Sequence, residues 1–316
     1  MYIGIDLGGT NIGIGVVDDD NQLIYKDSIP TRKGLDFEEI ADDIIELIKN
    51  AIYSSNITKN EVKGIGIGVP GIVNPKTNMI IECVNLKWKN VHIKEYIEAA
   101  IDIPVFIGND ATVAGVAELA IGSMKGFDKG VLFTLGTGIG AGIIINGNVY
   151  DGAHGIGAEI GHMIVGDNYF DCNCGRNGCL ETFCSSTAII KYARKLIEEG
   201  QASLINNMIE NDLEKINGKV IFDAAYKEDA LANKVVDRMV KYLSIGIVNT
   251  IAVIDPEVIV IGGGLSAAGD FLISKVRKEV SERLYFKDTD VAKIVLSEIG
   301  NDGGIIGAAN LSKHHS

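Results

Sequence analysis

The sequence predicts an α/β protein built from two related halves, and three observations carry that prediction. A strand, a glycine turn and a second strand open the chain at Tyr2–Leu7 and Ile12–Val17, and the same pattern returns at Gly130–Leu135 and Ala141–Ile145. Between such strands the apolar residues take helical spacing, as at Phe37, Ile40, Ile44, Ile45, Leu47 and Ile48. The chain has 316 residues, 47% of them apolar, which suits two domains with a core each.

Asn21–Ser28 reads as a third strand after the opening pair, and the helical spacing runs from Asp36 to Ile52. Val62–Val69 is a strand stopped by the Val69-Pro70-Gly71 turn. Val91–Ala100 reads as helix. Val105–Gly108 is a short buried strand that runs into Asn109-Asp110 and a helix of small residues to about Leu119. In the second half, Gly136–Gly138 is the turn between strands, and Asn146-Gly147 forms a hairpin leading to another strand. The uncharged run Gly130–Tyr150 is long enough to span a bilayer. Gly136, Gly138, Gly140 and Gly142 puncture it, and the Asn-Gly hairpin signal excludes the membrane reading. A loop follows from Asp151 to Leu180. Helices are expected at Ser186–Glu199, Leu204–Ile209, Val220–Ala225 and Ala230–Ile254. A strand at Glu257–Ile261 ends in Gly262-Gly263-Gly264. A helix at Phe271–Leu284, a strand at Ile294–Glu298 and a small-residue helix at Gly303–Leu311 complete the chain.

The formal net charge is −13 and no basic block stands out, so the footprint of a nucleic-acid binder is absent. The start, Met1-Tyr2-Ile3-Gly4-Ile5-Asp6, shows no basic region and no cleavage site. A cytoplasmic protein is therefore expected. Of five cysteines, three crowd into one loop, which in such a chain favours metal over disulfides.

Those three, Cys172, Cys174 and Cys179, lie with His162 within 18 residues. Three thiolates and one imidazole make a closed tetrahedral zinc set with no position left for an activated water, so the metal is expected to be structural. A disulfide would leave one thiol unpaired, and Cys172-Asn173-Cys174 is tight for an internal bridge. Zinc would fix His162, leaving its other ring nitrogen for a ligand. Cys83 and Cys184 lie outside the set and read as core. Two carboxylates, Glu159 and Glu181, flank the loop and suit a ligand rich in hydroxyls. Their bland alternatives are a surface charge for Glu159 and a helix N-terminal acid for Glu181. Trp88, the only tryptophan, reads as a core or hinge anchor.

Asp6-Leu7-Gly8-Gly9-Thr10-Asn11 is either an ordinary hairpin turn or a phosphate loop whose backbone N–H groups face phosphate oxygens and whose acid needs Mg2+ between it and them. Leu135-Gly136-Thr137-Gly138-Ile139-Gly140 repeats the theme. A strand follows each turn where a dinucleotide fold has a helix, so that fingerprint fits poorly. Gly262, Gly263 and Gly264 follow a buried strand, and together the three loops with Asp6 suggest a nucleotide clamp. Local sequence favours Asn109-Asp110 as a helix cap; a general base is the alternative.

These residues resemble the ROK family (repressors, open reading frames and sugar kinases) from Tyr2 to about Ala309. Asp6-Leu7-Gly8-Gly9-Thr10 is similar to the family's first phosphate motif, Leu135–Gly140 to its second, and Ile261–Gly264 to its adenosine-side motif. Glu159-Ile160-Gly161-His162 with Cys172-x-Cys174-Gly-x-x-Gly-Cys179-x-Glu181 is the most specific signature. The resemblance implies an actin-like/hexokinase (ribonuclease-H-like) two-domain fold with an intervening cleft. One domain would hold residues 1–112 with about 300–316, the other residues 113–299 with the cysteine loop. It implies Asp110 as catalytic base, with Asn109, Asp110, Glu159, His162 and Glu181 holding a sugar and backbone help near Gly71.

The implied cofactors are ATP, Mg2+ and structural Zn2+, and the implied assembly is a homodimer or homotetramer. The fit to bacterial-type glucokinases implies transfer of the ATP γ-phosphate to the 6-hydroxyl of glucose. Kinases for N-acetylmannosamine, N-acetylglucosamine, mannose or allose, and a polyphosphate donor, are the alternatives. Family members that act as repressors carry an N-terminal helix-turn-helix, whereas the first strand here begins at Tyr2. Three positions depart from the common pattern: Asn11 in place of lysine, Cys184-Ser185-Ser186 in place of Ala-Ser-Gly, and Thr112-Val113 in place of smaller residues.

Overall fold

The computed structural model describes residues 1–32, 34–286, 291–300 and 302–315. Asn301 and Ser316, in the predicted return segment of about 300–316, lie outside them. The first half contains β1 (Tyr2–Leu7), β2 (Asn11–Val17), β3 (Leu23–Pro30), α1 (Phe37–Ser54), β4 (Gly64–Val69), β5 (Ile72–Val73), β6 (Ile80–Cys83), β7 (Trp88–Val91), α2 (Ile93–Ile101), β8 (Val105–Asn109) and α3 (Asp110–Ile121). Then follow β9 (Gly130–Leu135), β10 (Ile139–Ile145), β11 (Asn148–Val149), α4 (Glu181–Cys184), α5 (Ser186–Glu198), α6 (Leu204–Met208), α7 (Gly218–Tyr226), α8 (Ala230–Ile254), β12 (Val258–Gly262), α9 (Asp270–Arg283), β13 (Lys293–Leu296) and α10 (Gly303–His315).

Two compact units result. The first comprises Met1–Asp128, Gly142–Ala158 and Glu298–Ser316, the second Lys129–Ala141 and Glu159–Ser297. The division expected after residue 112 falls inside α3.

In the first unit the sheet order is β3-β2-β1-β4-β8. β1, β2 and β3 pair antiparallel, and β1, β4 and β8 pair parallel. Strand alternation divides β1 cleanly. Ile3, Ile5 and Leu7 join the core formed with α1 and α2, including Ile40, Ile44, Ile48, Ile93 and Ile97. The opposite face carries Tyr2, Gly4 and Asp6, and α10 lies on it. That helix approaches closely because the face lacks side chains at two crossings. A Cβ on Gly4 would sit 1.8 Å from the Ile305 carbonyl oxygen, and one on Gly66 would sit 1.7 Å from that of Ala308.

A small sheet, β5-β6-β7, lies between Ile72 and Val91, where the sequence pattern shows no strand and places Val91 at the start of a helix. Its strands have two to four residues, too short for a period to show, and positive-φ residues Asn78, Lys87 and Asn90 punctuate them. Trp88 is buried there opposite Cys83, in keeping with an anchor.

The second sheet has the order β11-β10-β9-β12-β13, with β9, β12 and β13 parallel. Counting only the strands of each sheet in chain order, both have the order 3-2-1-4-5, the ribonuclease-H-like arrangement repeated. The Asn146-Gly147 hairpin forms as read, with φ of +53° and +70° at the two turn residues. Helices α4, α5, α7 and α9 pack on the long α8. Among the described residues no helix is long and apolar enough to cross a membrane.

The close approach of α10 makes a testable demand. Gly66→Ala is expected to lower stability by about 2 kcal/mol or more, because the clash is with backbone. Gly300→Ala, with nothing within 4 Å, is expected to shift it by less than about 0.5 kcal/mol. Urea unfolding midpoints of the two variants check this.

Candidate active site

In the first unit, strand register sets the functional residues at the carboxyl ends of three neighbouring parallel strands. Asp6 pairs with Gly68, and Val69 pairs with Asn109. Such strand ends are where α/β sheets present ligand-binding groups. The turn after Asp6 is closed by Gly8 N–H donating to the Asn11 carbonyl (3.0 Å), and Thr31 Oγ1 donates to the Gly8 carbonyl (2.7 Å). Gly9 lies beside the Asn85 side chain, and Thr10 and Asn11 are exposed. Asp6 faces the first turn of α10: its Oδ2 lies 2.6 Å from where a Cβ on Gly304 would be. Burial pushes the Asp6 carboxyl above its ordinary range.

At the start of α3 the structure separates the two roles that local sequence left open. Asn109, not Asp110, is the cap: its side chain accepts from the N–H groups of Ala111 (2.9 Å) and Thr112 (3.3 Å). Its Nδ2 donates to the Gly71 carbonyl at 3.0 Å, tying the helix start to the turn after β4. A Cβ on Gly71 would meet the Glu82 carbonyl oxygen at 2.4 Å, so that turn rests on β6. Asp110 is the first helical residue and is exposed. The departures nearby are accommodated within this unit: Thr112 Oγ1 donates to Asp151 (3.3 Å), and Val113 packs against Gly68 and Gly108.

In the second unit the loop before Leu180 folds as a backbone-bonded pair. Val165 N–H donates to the Gly178 carbonyl and Leu180 N–H to that of Met163, bringing His162 to the cysteines. Gly178, at φ +88°, lies so close to Gly166 that a Cβ would meet its carbonyl oxygen at 2.1 Å. His162 Nδ1 lies 3.7 Å from Cys172 Sγ, and the sulfurs of Cys174 and Cys179 are 3.6 Å apart. All four ligand atoms fall within 4.8 Å of one another. A tetrahedron with zinc–sulfur bonds of about 2.3 Å has edges of about 3.8 Å, so the donor set fits zinc in type, number and spacing. All five cysteines are free thiols.

Arg176 beside Cys174 holds its thiol down to about 6, while burial pushes Cys172 up and Cys179 up to about 12. With Nδ1 turned to the sulfurs, Nε2 of His162 is left 4.0 Å from Glu159 Oε2. An imidazole and a carboxylate therefore stand together at the edge of the metal loop.

The same unit joins the metal loop to the second glycine turn. Gly136 N–H donates to the Gly138 carbonyl (3.0 Å), closing the turn. Glu181 Oε2 accepts from Ile139 N–H at 3.0 Å, and its Oε1 lies 3.8 Å from Cys172 Sγ. Gly138 makes room for this carboxylate, since a Cβ there would lie 2.4 Å from Oε2. From α5, Ser186 N–H donates to the Gly136 carbonyl and Thr187 Oγ1 to that of Thr137, both at 2.8 Å. Ser185 caps α5 through Ala188 N–H, and Cys184 is buried against the Met239 carbonyl, so the unusual Cys-Ser-Ser run preserves the helix start. Gly263, at φ +81°, presses on the Leu135 backbone next to the turn, with Gly262 ending β12 and Gly264 open to solvent. A cavity of about 230 Å³ is lined by Thr137, Gly138, Glu181, Thr187 and Lys191.

The structure thus gathers Gly136–Gly138, Gly262–Gly264, Glu159, His162, Glu181 and the cysteines in one unit. It gathers Asp6–Asn11, Gly71, Asn109 and Asp110 in the other. Sequence reasoning missed Thr31, Asn85, Ser186 and Thr187, whose partners lie tens of residues away. Only Ser185, a recognisable cap three residues before a helical nitrogen, gave a local signal at this spot.

Loading with zinc is expected to give one ion per chain by mass spectrometry, and Cys179→Ser is expected to abolish it. Full occupancy in that variant would refute the four-ligand assignment.

A profile of the ROK family matches residues 2–315. A glucokinase of Halalkalibacterium halodurans is 34% identical over 99% of this chain and 94% of its own length. One of Thermotoga maritima is 35% identical over 98% and 96%. Among solved structures, a ROK family glucokinase from Streptomyces griseus in complex with glucose and AMPPNP superposes with a TM-score of 0.79 at 28% identity, covering 99% of both chains. The repeated strand order, the two glycine turns and the Cys3His loop are thus set within a match that runs the full length, and the chain belongs to the ROK family.

Proposed function

We propose that the protein is an ATP-dependent hexose kinase that phosphorylates glucose at its 6-hydroxyl. The observation that carries this reading is the exposed Asp110 carboxylate at the first position of α3, one oxygen of which accepts from Ala111 N–H at 2.8 Å while Asn109 serves as the cap. The relatives named as glucokinases and the structure with glucose and AMPPNP support it.

Asp110 accepts the proton of the sugar hydroxyl as that oxygen attacks the γ-phosphorus of ATP. The bond from the γ-phosphorus to the bridging oxygen breaks, and ADP leaves with the electron pair. Asn109, the Gly71 backbone, Glu159 and Glu181 bond the sugar's hydroxyls, and His162 Nε2–H donates to one. The turns Gly8–Asn11 and Gly136–Gly138 take the phosphates through backbone N–H groups other than those of Gly8 and Gly136, which close the turns, and Gly262–Gly264 borders the adenosine. Asp6 would hold the Mg2+ of the nucleotide, which neutralises phosphate charge. Zinc on His162, Cys172, Cys174 and Cys179 would supply rigidity, keeping the imidazole at one angle. Thiolate ligands suit a reducing, cytoplasmic setting.

The deciding experiment is an ADP-release assay with ATP across hexoses and N-acetylhexosamines, paired with direct detection of the sugar phosphate when polyphosphate replaces ATP. Glucose with ATP is expected to give the highest kcat/KM; turnover of no sugar would end the kinase reading. Asp110→Asn is expected to reduce kcat by about 10²–10⁴-fold while sugar still binds. A near-normal kcat would remove the base assignment.

Asp6 gives a pH signature. Its raised pKa means the folded chain holds this proton more tightly than the unfolded chain. The contribution to stability is full below the ordinary carboxyl pKa and is lost as pH rises through the raised value. Without nucleotide at neutral pH, Asp6→Asn is therefore expected to melt at or above wild type, although turnover is lost. A clearly lower melting temperature would show that charged Asp6 stabilises the fold.

A further inference from the structure

Arg238, on α8, is half-buried among aromatic rings of the second unit. Its guanidinium carbon lies 4.4 Å from the ring centre of Tyr192, 4.6 Å from Phe183, 5.5 Å from Tyr242 and 5.8 Å from Tyr169. Phe183 and Tyr242 stack with centres 3.8 Å apart, so the cage is itself packed. Ring faces attract a cation but leave its N–H groups to find acceptors elsewhere. Nη2 donates to Asn168 Oδ1 at 2.5 Å.

Asn168 Oδ1 also accepts from Tyr169 N–H at 2.8 Å, and the two bonds together fix which way the Asn168 amide points. With Oδ1 turned to the arginine, Nδ2 donates at 2.7 Å to both the carbonyl and the hydroxyl of Thr182, the residue after Glu181. Thr182 Oγ1 in turn donates to the Cys179 carbonyl at 2.7 Å. Asn168 N–H donates to Asn177 Oδ1 (2.8 Å), and Asn177 Nδ2 returns a bond to the Asn168 carbonyl (3.1 Å). Asn177 lies between Cys174 and Cys179. The caged cation, together with the Tyr169 N–H, therefore orders the asparagine that grips both the metal loop and the segment carrying Glu181.

We infer that Arg238 and Asn168 form a strap that sets the position of Glu181 and of the cysteine loop for the sugar. They are positioning residues, acting through Thr182 and Asn177 rather than by touching substrate. This inference rests on the sugar-kinase reading for the role of Glu181. The planar, forked guanidinium suits this role because it fits between rings and still directs a bond at a set angle, which a lysine ammonium does less well.

Zinc-loaded wild-type protein is compared with the variants Arg238→Met, Arg238→Lys, Asn168→Ala and the Met/Ala double. Two quantities are read: steady-state kinetics, and the rate at which a chromophoric chelator strips zinc. Arg238→Met and Asn168→Ala are each expected to raise the sugar KM about tenfold and to speed zinc loss about tenfold. The sugar KM should rise several times more than the ATP KM, with kcat near wild type. Arg238→Lys should recover part of the loss, and the double variant should be no worse than either single, as expected for residues acting as one unit.

Unchanged sugar KM and unchanged zinc loss in folded single variants would overturn the strap. So would effects that add in the double variant, or a fall in kcat and both KM values alike. Asn168→Ala leaves the aromatic cage intact and decides the matter if Arg238→Met fails to fold. If the wild-type chain phosphorylates no sugar, the kinase reading fails, and the zinc-loss rates still test the strap.

Discussion

The Glu181 carboxylate is the point on which the second unit's chemistry depends. One oxygen is held by Ile139 N–H at the exit of the glycine turn, and the other lies beside Cys172 in the metal loop. A side chain at residue 138 would occupy the same space, so the small residue in the turn and the carboxylate require each other. Phosphate loop and metal loop are separate in sequence, yet this one group ties their geometry together. Backbone bonds from the start of α5 hold the turn from its other side. The turn is thereby held in one conformation from both sides.

Each half of the molecule solves the same problem with the same order of strands. A glycine turn joins the first two strands, and the fourth strand ends in a glycine-containing turn: Val69-Pro70-Gly71 in one sheet, Gly262-Gly263-Gly264 in the other. Parallel strands end together, so groups spaced widely along the chain converge at their carboxyl ends. The halves then diverge in what they add. The first presents carboxylates, Asp6 and Asp110; the second presents a metal loop with an imidazole and two acids. Burial at Asp6 disfavours the charged form of its carboxyl, so this acid is held at a cost to its ionised state.

Much of this was legible in the chain because the signals are local. The Asn146-Gly147 hairpin, the Cys3His spacing and the helical spacing from Phe37 to Ile48 each lie within a few turns of backbone, and all formed as read. The small β5-β6-β7 sheet was not legible, because its strands are shorter than the window in which a period shows. Asn109 and Asp110 were recognised as a pair but could not be told apart, since either residue type can cap a helix. The bond from Asn109 to Gly71 distinguishes them, and it spans 38 residues of sequence.

By itself, then, the sequence determined which residue types are available: ligands for zinc, glycines at strand ends, and acids near a helix start. Those follow from local backbone preference and from the donor atoms of each side chain. Tertiary structure alone decided that the amide Asn109 caps while the acid Asp110 is exposed, that Glu181 bonds to one loop and lies against the other, and that a ring-caged arginine bonds Asn168. These outcomes depend on pairs distant in sequence, whose proximity is set by sheet register and by helices packing on shared faces, and no local pattern encodes them.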